Sequence, residues 1–219
     1  MARPQILVIN PNSNHEVTQG FARVLAQYDL GAGPEIRCIT SAEGPFGIQS
    51  QLDAESAVLP LHRLVAANTN AAAIVIACFS DPGLHVCREA TRAPVFGMAE
   101  CGVLTALASG DRFGVIAISD RAIPRHTRYL RQMGVMDRFA GEVALNISVA
   151  DTARDAAILD RLTVAGKDLR DRFGASSVVL GCAGFSAQRA ALQEALGVPV
   201  IDPVQAAVAM AIGTVLGRG

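Results

Sequence analysis

The sequence lacks the features of charge-driven and membrane-spanning proteins. Its 219 residues carry a formal net charge of -1, without a block of basic or acidic residues. Nucleic-acid surfaces need clustered Lys and Arg, so we expect no nucleic-acid partner. No apolar run approaches the roughly 20 residues needed to cross a bilayer, so we expect no membrane partner. The single lysine, Lys167, argues against Schiff-base catalysis.

Signal, metal and phosphate motifs are also missing. The N-terminal apolar run, residues 6–9, is too short for a signal peptide, which predicts a cytoplasmic protein. The histidines are scattered, and neither a Cys-x-x-Cys nor a His-x-x-x-His pair occurs, so we expect no metal site. No glycine-rich phosphate-binding loop follows the first apolar run.

The cysteines stand out against these absences. There are five, an odd number, and in a reducing compartment we expect them to be free thiols. Two of them end the same short pattern of an apolar run, a small residue and cysteine, at residues 74–78 (IVIAC) and 178–182 (VVLGC). Matching apolar runs at residues 6–10 and 115–119 begin the two halves. The sequence therefore predicts two copies of one α/β unit, each with a thiol after a central strand.

Apolar runs alternate with helical patterns along both halves. This alternation predicts parallel sheets that are covered by helices on both faces. In such sheets, ligands bind beyond the carboxyl ends of the strands. The predicted strands are residues 5–10, 35–40, a third that ends before Cys78, 94–97, 113–118, 142–146, 177–181 and 198–201.

Capping signals place the helix boundaries. Ser13 and Glu16 fit a capping box that begins the first helix. Asp81, followed by Pro82, fits the cap and first position of a later helix. The longer helical patterns predict helices over residues 52–67 with a bend near Pro60, 84–91, 99–109, 124–133, 151–173 and 203–216.

Four polar side chains follow central strands of the predicted sheets. They are Asn10, Cys78, Ser119 and Cys182. If the two copies face each other, the two thiols oppose one another across a cleft between them. Asn10 and Ser119 either face this cleft or pack within the sheet.

Two opposed thiols suit the inversion of a stereocentre. One sulfur removes a proton from a carbon next to a carbonyl, and the other adds a proton to the opposite face. Peptide N–H groups after the cysteines, at residues 80–81 and 183–184, are placed to stabilise the resulting oxyanion. The same helix ends are expected to lower the pKa of both thiols. The alternative is that Cys78 and Cys182 are small buried apolar residues, but their matching positions favour a catalytic pair.

Four segments carry a resemblance to a known family. They are residues 9–13 (INPNS), 77–84 (ACFSDPGL), 179–186 (VLGCAGFS) and 197–202 (GVPVID). Together they resemble the hydantoin/allantoin racemase branch of the Asp/Glu racemase superfamily, over essentially the whole chain.

The resemblance implies two pseudo-symmetric flavodoxin-like lobes with the active-site cleft between them. The C-terminal helix of such proteins usually returns to the first lobe. We therefore expect a first lobe of residues 1–97 plus 205–219, which carries Cys78, and a second lobe of residues 98–204, which carries Cys182.

The resemblance also implies cofactor-independent racemisation with Cys78 and Cys182 as the acid/base pair. One departure from the pattern is Ile118-Ser119, where relatives often carry a Thr pair. The residues implied to hold or surround the substrate are Asn10, Phe79, Ser80, Asp81, Ala183 and Gly184, and we add Ser119 by its position.

These observations predict a racemase of 5-substituted hydantoins, with allantoin as one candidate substrate, and a homo-oligomer. An aspartate or glutamate racemase is the nearest alternative, although a dicarboxylate would need cationic or hydroxyl anchors, of which the cysteine loops offer few. Maleate-isomerase chemistry with one nucleophilic cysteine stays open, whereas Cys78 argues against a decarboxylase. A two-lobed small-molecule binding protein is the alternative outside enzymes.

Overall fold

Two parallel sheets form the frame of the protein. The computed structural model describes residues 3–29, 31–153 and 156–217. Within these residues, the strands are β1 Gln5–Asn10, β2 Glu35–Thr40, β3 Ala73–Ile76, β4 Val95–Gly97, β5 Phe113–Ala117, β6 Phe139–Ala144, β7 Ser177–Leu180 and β8 Val200–Ile201. The helices are α1 His15–Leu25, α2 Gln51–Ser56, α3 Val58–Ala67, α4 Leu84–Glu89, α5 Met98–Ser109, α6 Ile123–Gln132, α7 Ile158–Asp171, α8 Arg189–Leu196 and α9 Pro203–Leu216.

The two sheets have the same strand order. The first runs β2-β1-β3-β4 and the second runs β6-β5-β7-β8, with every neighbouring pair parallel. An order of 2-1-3-4 is that of flavodoxin-like sheets. The predicted α/β fold with two flavodoxin-like lobes is confirmed.

Alternate residues of β1 explain how the sheets are packed. Ile6 and Val8 join a large apolar core that continues without interruption into the second sheet. Leu7 and Ile9 face the other way and form a separate core that α3 and α4 complete. Because successive side chains of a strand point to opposite faces, β1 is apolar throughout and buried on both sides.

The C-terminal helix lies against the first sheet. α9 packs on α5 and on β1, β3 and β4. Its approach to α5 is close, since a Cβ on Gly102 would lie 2.4 Å from Cβ of Pro203. The lobe boundaries, residues 1–97 plus 205–219 and 98–204, stay a proposal that this packing supports.

Two of the predicted helix starts are wrong. Asn14, not Ser13, caps α1, and its side-chain oxygen accepts from the N–H of Glu16 at 3.0 Å. The backbone N–H of Asn14 donates to Oδ1 of Asn12 in the preceding turn, which places the side chain of Asn14 at the start of the helix. Asp81 does not cap α4, which instead follows Gly83 in a left-handed conformation with φ +64°.

Two predicted long helices are each interrupted. The helix expected over residues 52–67 is divided into α2 and α3 at Ala57, and Pro60 lies in the first turn of α3, where it displaces no helical hydrogen bond. The helix expected from Asp151 begins only at Ile158, after a separate 3₁₀ turn at Ala150–Ala153. Residues 154 and 155 of that prediction lie outside the described residues.

Among the described residues, no helix is both long enough and apolar enough to cross a membrane.

Replacing Phe21 by Ala is expected to lower the free energy of unfolding by about 3–5 kcal/mol, because a fully buried ring leaves a cavity. Phe21 is 0% exposed, on the face of α1 that joins the core shared by both sheets. The matched control is Phe46→Ala, at a side chain that is 65% exposed. Urea unfolding measures both variants. Equal losses in the two would contradict this account of the core.

Candidate active site

The two cysteines of the repeated pattern lie on one cavity. Cys78 follows β3 and Cys182 follows β7, the two central strands that carry the pattern. We call the space between them the thiol cavity; it has a volume of about 30 Å³. A volume of this size holds about two water molecules, so it must widen to admit an organic ring. Its lining includes Cys78, Phe79, Ser80, Cys182 and Ala183.

The same backbone hydrogen bond precedes each cysteine. The N–H of Ala77 donates to the carbonyl of Ile9, and the N–H of Gly181 donates to the carbonyl of Ile116, both at 2.8 Å. A Cβ on Gly181 would lie 2.6 Å from that carbonyl oxygen. The small residue before cysteine is therefore required in the second copy by the close approach of the neighbouring strand.

Burial controls the acidity of both thiols. Burial raises the pKa of Cys78 to about 11, against the lowering effects of the Ser80 backbone N–H and the charge of Arg125. Burial raises the pKa of Cys182 to about 12, and the backbone N–H of Gly184 opposes this rise. The expected lowering by helix ends is outweighed, because loss of hydration disfavours the thiolate more than these N–H dipoles favour it.

The two thiols also act on each other. Charge on Cys78 raises the pKa of Cys182, so a second thiolate is disfavoured once the first has formed. The charge of Arg125 favours the thiolate of Cys78, and the backbone N–H of Gly184 favours that of Cys182. The interaction between the two sulfurs therefore disfavours two thiolates at once.

Asn10 lies next to the thiol cavity but does not line it. Its side chain is fully buried, and Nδ2 donates to Oδ1 of Asn12, the carbonyl of Asn14 and the hydroxyl of Thr18. Asn12 is the residue of this turn that reaches the cavity. Because Oδ1 of Asn12 accepts from Asn10 and Asn14, its Nδ2 remains as the donor for the cavity.

Asp81 holds three elements together and does not line the thiol cavity. Its carboxylate accepts from the N–H groups of Ala99 and Glu100, each at 2.9 Å, and from the hydroxyl of Tyr129 at 3.1 Å. It thereby caps α5 and joins the Cys78 loop to α6. Burial raises the pKa of Asp81 to about 7, against these three hydrogen bonds. The bonds also offset the cost of its positive φ of 40°.

Ser119 and Gly184 are the other predicted residues that do not line the cavity. Ser119 caps the 3₁₀ turn Asp120–Ala122 by accepting from the N–H of Arg121. Its neighbour Ile118 lines the cavity instead. The N–H of Gly184 donates to Sγ of Cys182 at 3.4 Å, so this peptide group is directed at the sulfur.

Sequence reasoning missed two charged or polar residues of α6. Arg125 and His126 both line the thiol cavity, and Nε of Arg125 donates to the hydroxyl of Ser80 at 3.0 Å. Burial lowers the pKa of Arg125, while the charge of Cys78 opposes that lowering. The signal that could have found them is the rule that ligands bind beyond the carboxyl ends of strands. The first turns of α6 follow the carboxyl end of β5, so the rule applies to them as well.

The match to known proteins covers nearly the whole chain. The family model for Asp/Glu/hydantoin racemases matches residues 6–211. A hydantoin racemase from Paenarthrobacter aurescens is 38% identical over 207 residues, which are 93% of this chain and 87% of that protein. The chain belongs to the Asp/Glu/hydantoin racemase family.

Further relatives have the same character. A hydantoin racemase from Pseudomonas sp. (strain NS671) is 32% identical, over 94% of this chain and 84% of that protein. The structure of an allantoin racemase from Klebsiella pneumoniae superposes with a TM-score of 0.92 at 28% identity, over 98% of this chain and 89% of that one. These relatives are thus similar to this chain in sequence, and the allantoin racemase is similar to it in fold as well.

A second cavity adjoins the thiol cavity. This outer cavity has a volume of about 260 Å³, and Ser80 and Arg125 line both spaces. Its other lining residues include Gln51, Arg128 and Tyr129. The hydrogen bond between Arg125 and Ser80 therefore lies in the partition between the two.

Other possible sites have less chemistry to offer. A wider groove of about 770 Å³ lies between β6 and α7, and neither repeat cysteine lines it. In the part of the chain that the structure describes, no three His, Cys, Asp or Glu side chains are grouped to hold a metal ion. The thiol cavity is accordingly the candidate active site.

Replacing Arg125 by Met is expected to raise the pKa of Cys78 further, because a nearby positive charge is removed. Alkylation of Cys78 by iodoacetamide at pH 8 should slow by about 3- to 10-fold, since thiolate is the reactive form. Peptide mass spectrometry measures the rate at each cysteine.

The matched control is Arg128→Met, because Arg128 lines the outer cavity and donates to Gln51. This variant should leave alkylation of Cys78 unchanged. Equal rates in the two variants would show that Arg125 does not set the acidity of Cys78.

Proposed function

We propose that this protein racemises 5-substituted hydantoins without a cofactor, using Cys78 and Cys182 as the two acid/base groups; allantoin is one candidate substrate. Family membership and racemase relatives support an isomerase. The observation that carries the proposal is that both repeat cysteines line one small cavity. We also propose, from the sequence, a cytoplasmic homo-oligomer.

Cys78 begins the reaction in one direction. Its thiolate removes the proton from C5, and the electron pair moves into the adjacent carbonyl to form an enolate. The thiol of Cys182 then donates its proton to the opposite face of C5. The result is the other enantiomer, with a thiol at Cys78 and a thiolate at Cys182. The reverse direction exchanges the two roles, so atoms and charge balance in both.

Several groups are placed to stabilise the enolate oxygen. Asn12 presents an amide N–H donor to the cavity, and Arg125 brings a positive charge that already acts on Cys78. Donors directed at a developing oxyanion lower the barrier most when the site excludes water. Phe79, Ser80 and Ala183 form walls of the same space in this proposal.

The remaining predicted residues take indirect roles. Asp81 positions the Cys78 loop, and Asn10 positions Asn12. The peptide N–H of Gly184 stabilises the thiolate of Cys182 rather than the substrate. Ser119 holds the turn that leads into α6.

The outer cavity suits the substituent at C5. The thiol cavity is too small for a substituted ring, whereas the outer cavity adds about 260 Å³ across the Ser80–Arg125 partition. Arg125 and Arg128 line the outer cavity together with the acidic residues Glu55 and Asp81. Because acidic side chains accompany both cations, a neutral hydantoin ring fits these surroundings better than a dicarboxylate.

Cys78→Ala and Cys182→Ala should each abolish racemisation, because one face of C5 then lacks its acid or base. Circular dichroism of an enantiopure 5-substituted hydantoin measures the rate. In heavy water, the wild-type product should carry deuterium at C5, which nuclear magnetic resonance detects.

The control is Cys38→Ala, at a thiol in β2 that does not line the cavity. It should retain wild-type activity. Full activity in either of the two repeat-cysteine variants would exclude the two-thiol scheme.

A further inference from the structure

A buried histidine that lines the thiol cavity is paired with a glutamate. Nδ1 of His126 in α6 lies 2.6 Å from Oε1 of Glu142 in β6. The two side chains are 5% and 1% exposed. The His126 ring also packs against Phe79 in a T-shaped arrangement, with ring centroids 5.1 Å apart and planes at 82°. The imidazole is therefore held from two sides, by the second lobe and by the Cys78 loop.

Stability alone does not account for this pair. Apolar residues of similar volume usually stabilise a core as well as a buried ionisable pair does. Moreover, Oε2 of Glu142 is buried without a hydrogen-bond partner among the described residues. Such a costly arrangement at a cavity wall points to a role in the site.

The hydrogen-bond network assigns the two nitrogens of His126. With Oε1 of Glu142 as the acceptor, Nδ1 carries the hydrogen of this hydrogen bond. In this tautomer Nε2 is an acceptor, and it makes no hydrogen bond within the described part of the chain. Glu142 thus sets which nitrogen is left to accept from a bound molecule.

Two other polar side chains at the cavity present donors. Asn12 offers its amide N–H, and Arg125 offers its guanidinium. A hydantoin ring has two carbonyl oxygens that match such donors, and two ring N–H groups that need acceptors. Cyclic ureides with an unsubstituted ring N–H are therefore complementary to donors and an acceptor placed together.

We propose that Nε2 of His126 accepts a hydrogen bond from a ring N–H of the bound substrate. This inference rests on the proposed hydantoin racemase function. It makes His126 a substrate-binding residue that selects cyclic ureides, and Glu142 the positioning residue that keeps Nε2 an acceptor. No proton is transferred at His126, since the C5 proton moves between the two thiols.

The test compares His126→Phe with the wild type on three probes. These are enantiopure 5-isopropylhydantoin and its N1-methyl and N3-methyl derivatives. The wild type should lose at least about 10- to 100-fold in kcat/KM on one derivative, because methylation removes the bonded N–H. His126→Phe should lower kcat/KM of the parent by a similar factor. On that derivative, His126→Phe and the wild type should differ in kcat/KM by less than about twofold, because neither enzyme makes the bond there.

Three further variants separate recognition from folding. Glu142→Gln keeps an acceptor for Nδ1–H and should preserve the preference for the parent ring, whereas Glu142→Leu should lose it. His85→Phe, on exposed α4 surface, should match the wild type on all probes. Thermal unfolding confirms that each variant is folded.

The outcomes are distinct. A His126→Phe variant that loses the same factor on the parent and both derivatives has a structural defect, and the proposal is then wrong. Unchanged activity on the parent overturns it as well. A wild type that racemises none of the probes contradicts the proposed function itself, before His126 is tested.

Discussion

The site depends on one apolar core that is shared by both sheets. Inward-facing residues of β1 and β3 join the core of the second sheet without a polar layer between them. This shared core brings the carboxyl ends of β3 and β7 to one cavity, although about a hundred residues separate the two cysteines that follow them. Each cysteine then follows a backbone hydrogen bond to the neighbouring central strand, which limits where its sulfur lies.

The same burial that brings the thiols together opposes their ionisation. Loss of hydration raises the pKa of both sulfurs, to about 11 and about 12. A thiolate with a high pKa is a strong base, which suits abstraction of a weakly acidic carbon-bound proton, but only a small fraction of it is present at neutral pH. The backbone N–H of Ser80 and the charge of Arg125 lower the pKa of Cys78, but by less than burial raises it.

The fold could be predicted from the sequence because its signals are local and repeated. The apolar runs of β1 and β2 have the predicted bounds, and the duplicated cysteine pattern marked both strand ends that meet at the cavity. The errors have tertiary causes. Asp81 has the local pattern of a helix cap, but residues of α5 and α6 supply its partners. For Asn10 the sequence left two placements open, and the packed one is observed because its own turn takes up its amide.

The duplication makes the frame symmetric, but α6 makes the chemistry asymmetric. Arg125 and His126 both reach the cavity from this one helix, and Arg125 acts on Cys78. For Cys182, the group that lowers the pKa is its own loop N–H at Gly184. A pair of identical residues on matching strands can therefore differ in basicity, because the second lobe adds a cation on one side. That difference arises from residues outside the repeated motif.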